Sequence, residues 1–216
     1  MKLFLSSSGL NEFTKKYFLE LVGKKSEDIL VGFIPTASDV EERKDYVEYD
    51  LNYLKQNKIS SKIIDLKNEN EQSLYEKFSD VDVIMVEGGN TFYLLDWMRK
   101  SGFDKIINKL LDEGKIYFGI SASSYVACPT IEAATWKRAD RNVINLKDLA
   151  GLNLVPFIIS AHYNKEKYKQ AVEDGAKTTK LPLVVLNDKQ AIVVQDDKYK
   201  LVGDDSKIFF NGFKEK

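Results

Sequence analysis

Short apolar runs alternate with amphipathic stretches over the first 121 residues. Buried strands are predicted where the apolar residues run together, at 2–6, 29–38, 61–66, 82–89 and 115–121. Apolar positions at helical spacing predict helices at 11–23, 41–57, between 66 and 82, at 91–100 and at 103–113. Strands that alternate with helices indicate right-handed βαβ units. The predicted fold is a three-layer α/β fold with a mostly parallel sheet and helices on both faces.

The pattern changes after residue 180. Four short apolar segments, LPLVVL, AIVVQ, YKLVG and KIFFNG, are separated by the polar turns NDK, DDK and DDS. Such spacing predicts antiparallel strands that close one edge of the sheet at the C-terminal end of the chain. The sequence contains no repeat, low-complexity tract or Pro/Gly/Ser-rich linker. Residues 1–216 are therefore predicted to form a single domain.

Composition narrows the classes of function. The chain has 216 residues, of which 44% are hydrophobic, and its 32 basic and 33 acidic residues give a net charge of -1. This balance excludes wholesale disorder and lacks the basic excess of a nucleic-acid binder. Cys128 is the single cysteine, which excludes an intramolecular disulfide and a thiolate-rich metal site. Because apolar runs fall short of the roughly 20 residues of a membrane span, we expect a cytoplasmic protein with no membrane partner. A homodimer is compatible with the sequence.

A glycine pair follows the strand at 82–89. Gly88 and Gly89 let the backbone approach a substrate closely and present its N–H groups, while Asn90 can cap the following helix. The alternative is a tight strand-to-helix turn that needs glycine for its backbone angles. In a parallel sheet, ligands bind beyond the carboxyl ends of the strands, which is where this loop is expected.

The end of the strand at 115–121 resembles a nucleophile elbow. The run Gly119-Ile120-Ser121-Ala122-Ser123 approaches the pattern G-x-S-x-G, with serine in place of the last glycine. At such a turn the Ser121 hydroxyl points outward and the next N–H can stabilise an oxyanion. The alternative is that Ser121 caps the short helix predicted after it.

A serine nucleophile needs a base, and His162 is the sole histidine of the chain. It follows the apolar run FIISA, so it too is expected at a strand end. If the order is Ser…Asp/Glu…His, the third group lies between residues 121 and 162. Three carboxyls remain open by this reasoning, namely Glu132, Asp140 and Asp148.

Three segments of the chain carry a recognisable pattern, namely EGGNTFYLL, GISASSYVACPTI and GLNLVPFIISAHY. In order and spacing they resemble the peptidase E family of serine dipeptidases, which are relatives of cyanophycinase. The run VACPTI matches the family pattern in full, and the similarity extends from FIPTAS to the final L-x-G strand. The resemblance implies a serine-type hydrolase that cleaves short peptides and needs no metal and no cofactor.

The resemblance also implies roles for individual residues. Ser121 corresponds to the nucleophile and His162 to the general base, while Ala122 and the pair Gly88-Gly89 correspond to the oxyanion donors. Asn90, next to the glycine pair, is expected to belong to the same oxyanion and substrate-binding set. The family's acid is an aspartate in a TTND motif, where this chain has AATW, so Trp136 occupies the ungapped position. Counting back from the histidine selects Asp140 instead, with Glu132 in reserve.

Departures from the family pattern bear on activity and specificity. Ser123 replaces a glycine of the elbow, and Ala161 replaces the proline before the histidine. The stretch after the histidine, YNKEKYKQAVED, contains lysines where the family has arginines that recognise an aspartyl side chain. Lysine does not offer a bidentate grip on a carboxylate, so strict Asp-X specificity is not expected.

Two other functions remain open. A glutamine-amidotransferase-like enzyme would use Cys128 as its nucleophile, although Cys128 falls within the predicted helix rather than at the elbow. A catalytically silent binding protein that keeps the fold is favoured by the altered elbow and the missing TTND aspartate.

Overall fold

A computed structural model describes residues 1–137 and 140–216. The strands are β1 (Lys2–Ser6), β2 (Leu30–Ile34), β3 (Ser60–Ile63), β4 (Val83–Val86), β5 (Ile116–Ile120), β6 (Ile158–Ser160), β7 (Leu183–Val185), β8 (Gln190–Gln195), β9 (Lys198–Gly203) and β10 (Ile208–Phe210). The helices are α1 (Lys15–Val22), α2 (Asp45–Gln56), α3 (Glu71–Phe78), α4 (Thr91–Lys100), α5 (Phe103–Asp112), α6 (Ala122–Val126), α7 (Glu132–Trp136) and α8 (Glu166–Thr178). Among these described residues, no helix is long and apolar enough to cross a membrane.

Seven strands form the main sheet in the order β3-β2-β4-β5-β1-β8-β9. The first five are parallel to one another, while β8 pairs antiparallel with β1 and β9 antiparallel with β8. The predicted α/β fold with a mostly parallel sheet and antiparallel edge strands is therefore confirmed.

Helices cover both faces of this sheet because side chains alternate along each strand. On one face, Phe4 of β1 meets Phe18 of α1 edge-on, with ring centroids 5.7 Å apart. Leu3 and Leu5 point to the other face and belong to the larger core, which also holds α3, α4 and α5. Nearly continuous apolar strands are what burial on both faces requires.

The C-terminal strands differ from the prediction in one respect. Only β8 and β9 close the edge of the main sheet, whereas β7 and β10 belong to a second sheet with the order β10-β7-β6. In that sheet β7 pairs parallel with β6 and antiparallel with β10. The run LVPFII thus contributes to a short strand whose partner follows more than 20 residues later.

The topology brings several strand ends to one edge. Ser6 at the end of β1 pairs with Ile120 at the end of β5, and Val86 at the end of β4 pairs with Gly119. Because β8 is antiparallel to β1, its first residues lie at the same edge, where Ala191 pairs with Ser6. This is the carboxyl edge at which an open α/β sheet binds ligands.

Candidate active site

Ser121 occupies a strained turn between β5 and α6. Its φ of 50° and ψ of -103° lie outside the regions that L-residues ordinarily adopt. The Ser121 N–H donates to the Ser6 carbonyl at 2.9 Å, which ties the turn to β1. A Cβ at Gly119 would lie 3.0 Å from the backbone of Ser123, so the close approach of α6 to β5 favours a glycine there. Strain of this kind at a reactive residue is typical of active sites.

Ser123, which replaces a family glycine, fits the elbow and reinforces it. Its side chain is fully buried, and its Oγ accepts the N–H of Ile120 at 2.5 Å. The hydroxyl lies 2.5 Å from the Val86 carbonyl at the end of β4. The hydroxyl therefore links the elbow to the strand that precedes the glycine loop.

His162 lies against the Ser121 hydroxyl. The distance from Ser121 Oγ to His162 Nε2 is 2.8 Å, a hydrogen bond in which the neutral ring can accept the hydroxyl proton. His162 has a φ of 62°, and its N–H donates to Ser7 Oγ at 2.8 Å. Burial lowers the pKa of the imidazole, which the Asp188 carboxylate opposes in part. The ring is accordingly neutral at neutral pH, as a general base must be.

The residue before His162 is held by a side chain of α6. The N–H of Ala161 donates to Tyr125 Oη at 2.9 Å, a bond that a proline at this position could not make. Lys137 Nζ donates to the same hydroxyl at 2.8 Å and also to the Ala161 carbonyl. The alanine that departs from the family pattern thus gives the chain an additional anchor beside the histidine.

Asp188 lies on the far side of the imidazole. Its Oδ1 is 2.5 Å from His162 Nδ1 and accepts the Ser7 hydroxyl at 3.0 Å, while Oδ2 accepts Asn164 Nδ2 at 3.1 Å. Burial acts to raise the pKa of this carboxyl. The hydrogen bond and the charge of His162 lower it, as do the hydrogen bonds from Asn164 and Ser7, and together they hold the pKa at about 2. The carboxylate is ionised at neutral pH and orients the ring.

The three carboxyls expected from sequence lie elsewhere. Asp140 accepts the Thr91 N–H at 3.0 Å and so stabilises the first turn of α4, and its partial burial raises its pKa to about 6. Glu132 begins α7, and Asp148 forms an ion pair with Arg99 at 3.0 Å. Among the described contacts of His162, none comes from these three residues. The expectation that Asp140, or Glu132 in reserve, contacts the imidazole does not agree with this geometry.

The search between Ser121 and His162 missed Asp188 because the residue follows the histidine in the chain. β6 and β7 are neighbouring parallel strands, with Ser160 paired to Val185 at their ends. His162 lies two residues beyond β6 and Asp188 three beyond β7, so the pairing places them together. The signal available in the sequence was the turn NDK, in which Asp188 comes two residues after the apolar run LPLVVL ends.

The glycine loop supplies one free N–H rather than two. Gly88 donates its N–H to Glu87 Oε1 at 2.7 Å, so this group is occupied. Gly89 has a φ of 138°, and a Cβ there would lie 2.3 Å from the Ala37 carbonyl, which makes glycine obligatory. In the described part of the chain no acceptor contacts the Gly89 N–H. Ala122, the first residue of α6, has no intrahelical acceptor for its N–H either.

Asn90 caps α4 as predicted, and its amide is engaged by the protein. The side-chain oxygen accepts the Tyr93 N–H at 3.0 Å, and Nδ2 donates to the Arg141 carbonyl at 2.8 Å. Asn90 is buried and is not among the residues that line the cleft. The expectation that it contacts substrate does not agree with this placement.

Cys128 lies just beyond α6 and cannot serve as the nucleophile in this geometry. It is fully buried, its Sγ contacts the Ser124 carbonyl at 3.3 Å, and burial raises the pKa of the thiol to about 12. A protonated, inaccessible thiol is not reactive. The amidotransferase alternative therefore lacks the cysteine nucleophile that it requires.

Ser121 and His162 open into a cleft of about 380 Å³. Helix α2 contributes Tyr46, Tyr49 and Asp50 to its wall, and α8 contributes Tyr168. Charged residues lie on its walls, with carboxyls at Glu41, Asp50, Glu87 and Asp140 and ammonium groups at Lys137 and Lys165. The arrangement can activate a serine hydroxyl beside a pocket that carries both signs of charge.

Comparison with known proteins identifies what the chain is similar to. The sequence model of Peptidase family S51 matches residues 3–202. The uncharacterized peptidase PM1590 of Pasteurella multocida is 33% identical over 198 residues, covering 91% of this chain and 94% of the relative. A peptidase E of a Nostoc species is 30% identical over 154 residues, covering 67% of this chain and 62% of the relative.

Solved structures show the same architecture. A crystal structure from Listeria monocytogenes EGD-e, provisionally described as a peptidase E protein, superposes with a TM-score of 0.81 at 30% identity, covering 93% of this chain and 96% of the other. The structure of a peptidase from an acI-B1 Actinobacterium has a TM-score of 0.75 at 18% identity, covering 100% and 92%, and at that identity shows the fold alone.

Proposed function

Because this chain belongs to peptidase family S51 and is a serine peptidase, we propose that it hydrolyses short peptides in the manner of a dipeptidase, through an acyl-enzyme formed on Ser121. One observation carries the proposal. The Ser121 hydroxyl, the His162 ring and the Asp188 carboxylate form a continuous hydrogen-bonded chain, with distances of 2.8 and 2.5 Å. This is the arrangement of nucleophile, base and orienting acid that serine hydrolases share on unrelated folds.

The first step is attack by the serine hydroxyl. His162 Nε2 takes the proton of Ser121 as Oγ bonds to the scissile carbonyl carbon. The Asp188 carboxylate holds the Nδ1 proton, which selects the tautomer with a free Nε2 and stabilises the imidazolium that forms. Ser7 supports both partners, since it accepts the His162 N–H and donates to Asp188.

The negative charge that develops on the carbonyl oxygen needs N–H donors beside Ser121. We assign Ala122 and Gly89 to this role, because the Gly88 N–H is already bonded to Glu87. Gly88 nevertheless lies against the nucleophile, since a Cβ there would make van der Waals contact with Ser121 Cβ at 3.4 Å. Loss of one such donor costs about 2.7–4 kcal/mol of transition-state stabilisation in related chemistry.

Collapse of the tetrahedral intermediate breaks the C–N bond. The imidazolium of His162 gives its proton to the leaving amine, and the acyl group stays on Ser121 as an ester. Water then attacks the ester with His162 again as the base, which releases the acid product and restores the hydroxyl. Short substrates are favoured because α2 and α8 bound the cleft.

A serine-directed fluorophosphonate tests the proposal without knowledge of the substrate. We expect wild-type protein to be labelled at Ser121 and Ser121→Ala to remain unlabelled with an unchanged thermal unfolding curve. A panel of dipeptides that varies the first residue then measures specificity, with Asp-X included but not expected to dominate. Absence of labelling in folded wild-type protein would favour the silent binding protein instead.

A further inference from the structure

Two buried carboxyls lie in the cleft beside the nucleophile. Glu87 directly follows β4 and is 1% exposed, and Asp50 on α2 is 5% exposed. Both line the cavity that contains Ser121. Asp50 packs so closely over Gly9 that a Cβ there would lie 2.0 Å from its Oδ1, so a glycine makes room for this carboxyl. The glycine that follows Glu87 lies against Ser121.

The pair has no cationic partner in the described residues. Glu87 Oε1 accepts the Gly88 N–H, but Oε2 is buried and receives no hydrogen bond from any backbone or ordinary side-chain donor there. Within 1–137 and 140–216, no lysine or arginine forms an ion pair with either carboxyl. The charge of Asp50 acts on Glu87 at close range, and a proton shared by the two carboxyls relieves their repulsion.

Their titration is consistent with this sharing. Burial raises the pKa of Asp50 to about 6, although its bond to Glu87 acts to lower it. Burial, and then the charge of Asp50, raise the pKa of Glu87 well above its usual range. Two unpaired buried carboxyls are costly to a fold, and the cost falls when a cation enters.

A primary ammonium matches what this part of the cleft lacks. It brings a positive charge and three N–H donors, and it can replace the shared proton. The unbonded acceptors here are Glu87 Oε2 and Tyr46 Oη, which is buried in the same wall without a partner. A carboxylate ligand would instead be repelled by the two acidic groups.

We propose that Asp50 and Glu87 form the subsite that binds a primary ammonium group of the substrate. The inference rests on the proposed peptidase function and names its substrate class, a peptide with an ammonium close to the scissile bond. That ammonium is either the free α-amino group or a lysyl side chain. Lys137 and Lys165 repel the same group from their part of the cleft, so the charges also set the substrate's direction.

Protection of Ser121 from the fluorophosphonate tests the subsite with three matched probes. Norleucinamide carries only an α-ammonium, N-acetyl-lysinamide only a side-chain ammonium, and N-acetyl-norleucinamide neither. We expect one of the two cationic probes to half-protect Ser121 at a concentration at least about tenfold below that of the neutral probe. The probe that succeeds identifies the source of the ammonium. Equal protection by all three would overturn the proposal.

Substitutions test whether the preference for a cationic probe depends on Asp50 and Glu87. Asp50→Asn should remove most of the advantage of the cationic probe and leave protection by the neutral probe unchanged. Glu41→Gln is the matched control, a carboxyl that lines the same cavity and should leave the advantage intact. An Asp50→Asn protein that keeps the full advantage contradicts the assignment. Thermal unfolding of each variant confirms that it is folded.

The test separates this inference from the proposed function. Labelling of Ser121 without any preference for ammonium defeats the subsite alone. If wild-type protein is not labelled, the peptidase proposal fails, and the same probes are then compared by the shift they cause in the unfolding temperature. A shift with a cationic probe that Asp50→Asn abolishes would still support the subsite, and its absence would refute it.

Discussion

Asp188 lies 2.5 Å from Nδ1 of His162, although 26 residues separate the two in the chain. Their contact depends on a pair of three-residue strands, β6 and β7, that lie outside the main sheet. Asn164 and Ser7 hold the carboxylate from other directions. The acid of the proposed triad thus follows the histidine, which reverses the order expected from the sequence.

Asp188→Asn should lower kcat on a peptide substrate by about 10³–10⁴-fold, because an amide no longer selects the tautomer that leaves Nε2 free. The protein should remain folded, since the side chain keeps its size. Steady-state kinetics with a dipeptide substrate provides the measurement.

Substitutions of the other candidate carboxyls are the controls for Asp188→Asn. Glu132→Gln should keep kcat within about threefold of wild type. Asp140→Asn weakens the first turn of α4 and should lower the free energy of unfolding by about 1 kcal/mol, with a smaller effect on kcat than Asp188→Asn. If Asp140→Asn proved the more damaging to kcat, the assignment of the acid would be wrong.

The pH dependence of kcat/KM should report His162. The base acts only when neutral, so activity rises with pH as the ring loses its proton. Since burial lowers its pKa, the half-maximal point should fall below the usual 6.5. Asp188, with a pKa of about 2, stays ionised across this range and therefore adds no second inflection to the pH profile. Asp140→Asn and Asp50→Asn should each leave this acid limb of the profile in place. Its disappearance in either variant would assign the limb to that carboxyl, because the pKa of each is about 6.

Ser123→Ala should destabilise the protein by about 1–3 kcal/mol, because the Ile120 N–H and the Val86 carbonyl lose a buried partner. It should also lower kcat, since the hydroxyl holds the elbow against β4. Urea unfolding and kinetics measure the two effects. Ser124→Ala is the comparison, and it should cost less because the Ser6 carbonyl keeps its bond from the Ser121 N–H. A Ser123→Ala protein as stable and as active as wild type would show that these bonds contribute little.

Iodoacetamide should leave the activity of the native enzyme unchanged. Cys128 is fully buried and its pKa of about 12 keeps the thiol protonated at neutral pH. The same reagent should modify Cys128 once urea has unfolded the chain, which shows that the reagent is active. Rapid inactivation of the folded protein would instead support a cysteine nucleophile.

The local sequence pattern was sufficient to predict most of the fold and two of the three residues of the proposed triad. Apolar runs locate the strands of the parallel sheet to within a few residues, because burial on both faces needs continuous apolar sequence. The small residues around Ser121 reveal the elbow, since such a turn excludes large neighbours, and the single imidazole leaves one candidate base.

Tertiary structure alone decided which carboxyl contacts His162 and which glycine N–H is already bonded. Asp188 reaches His162 through the pairing of β6 with β7, and no periodicity in the sequence specifies which short strands pair. Gly88 and Gly89 look equivalent in sequence, yet a side chain one position earlier occupies the N–H of Gly88. Such contacts form between segments far apart in the chain, where position in space rather than residue type determines the partner.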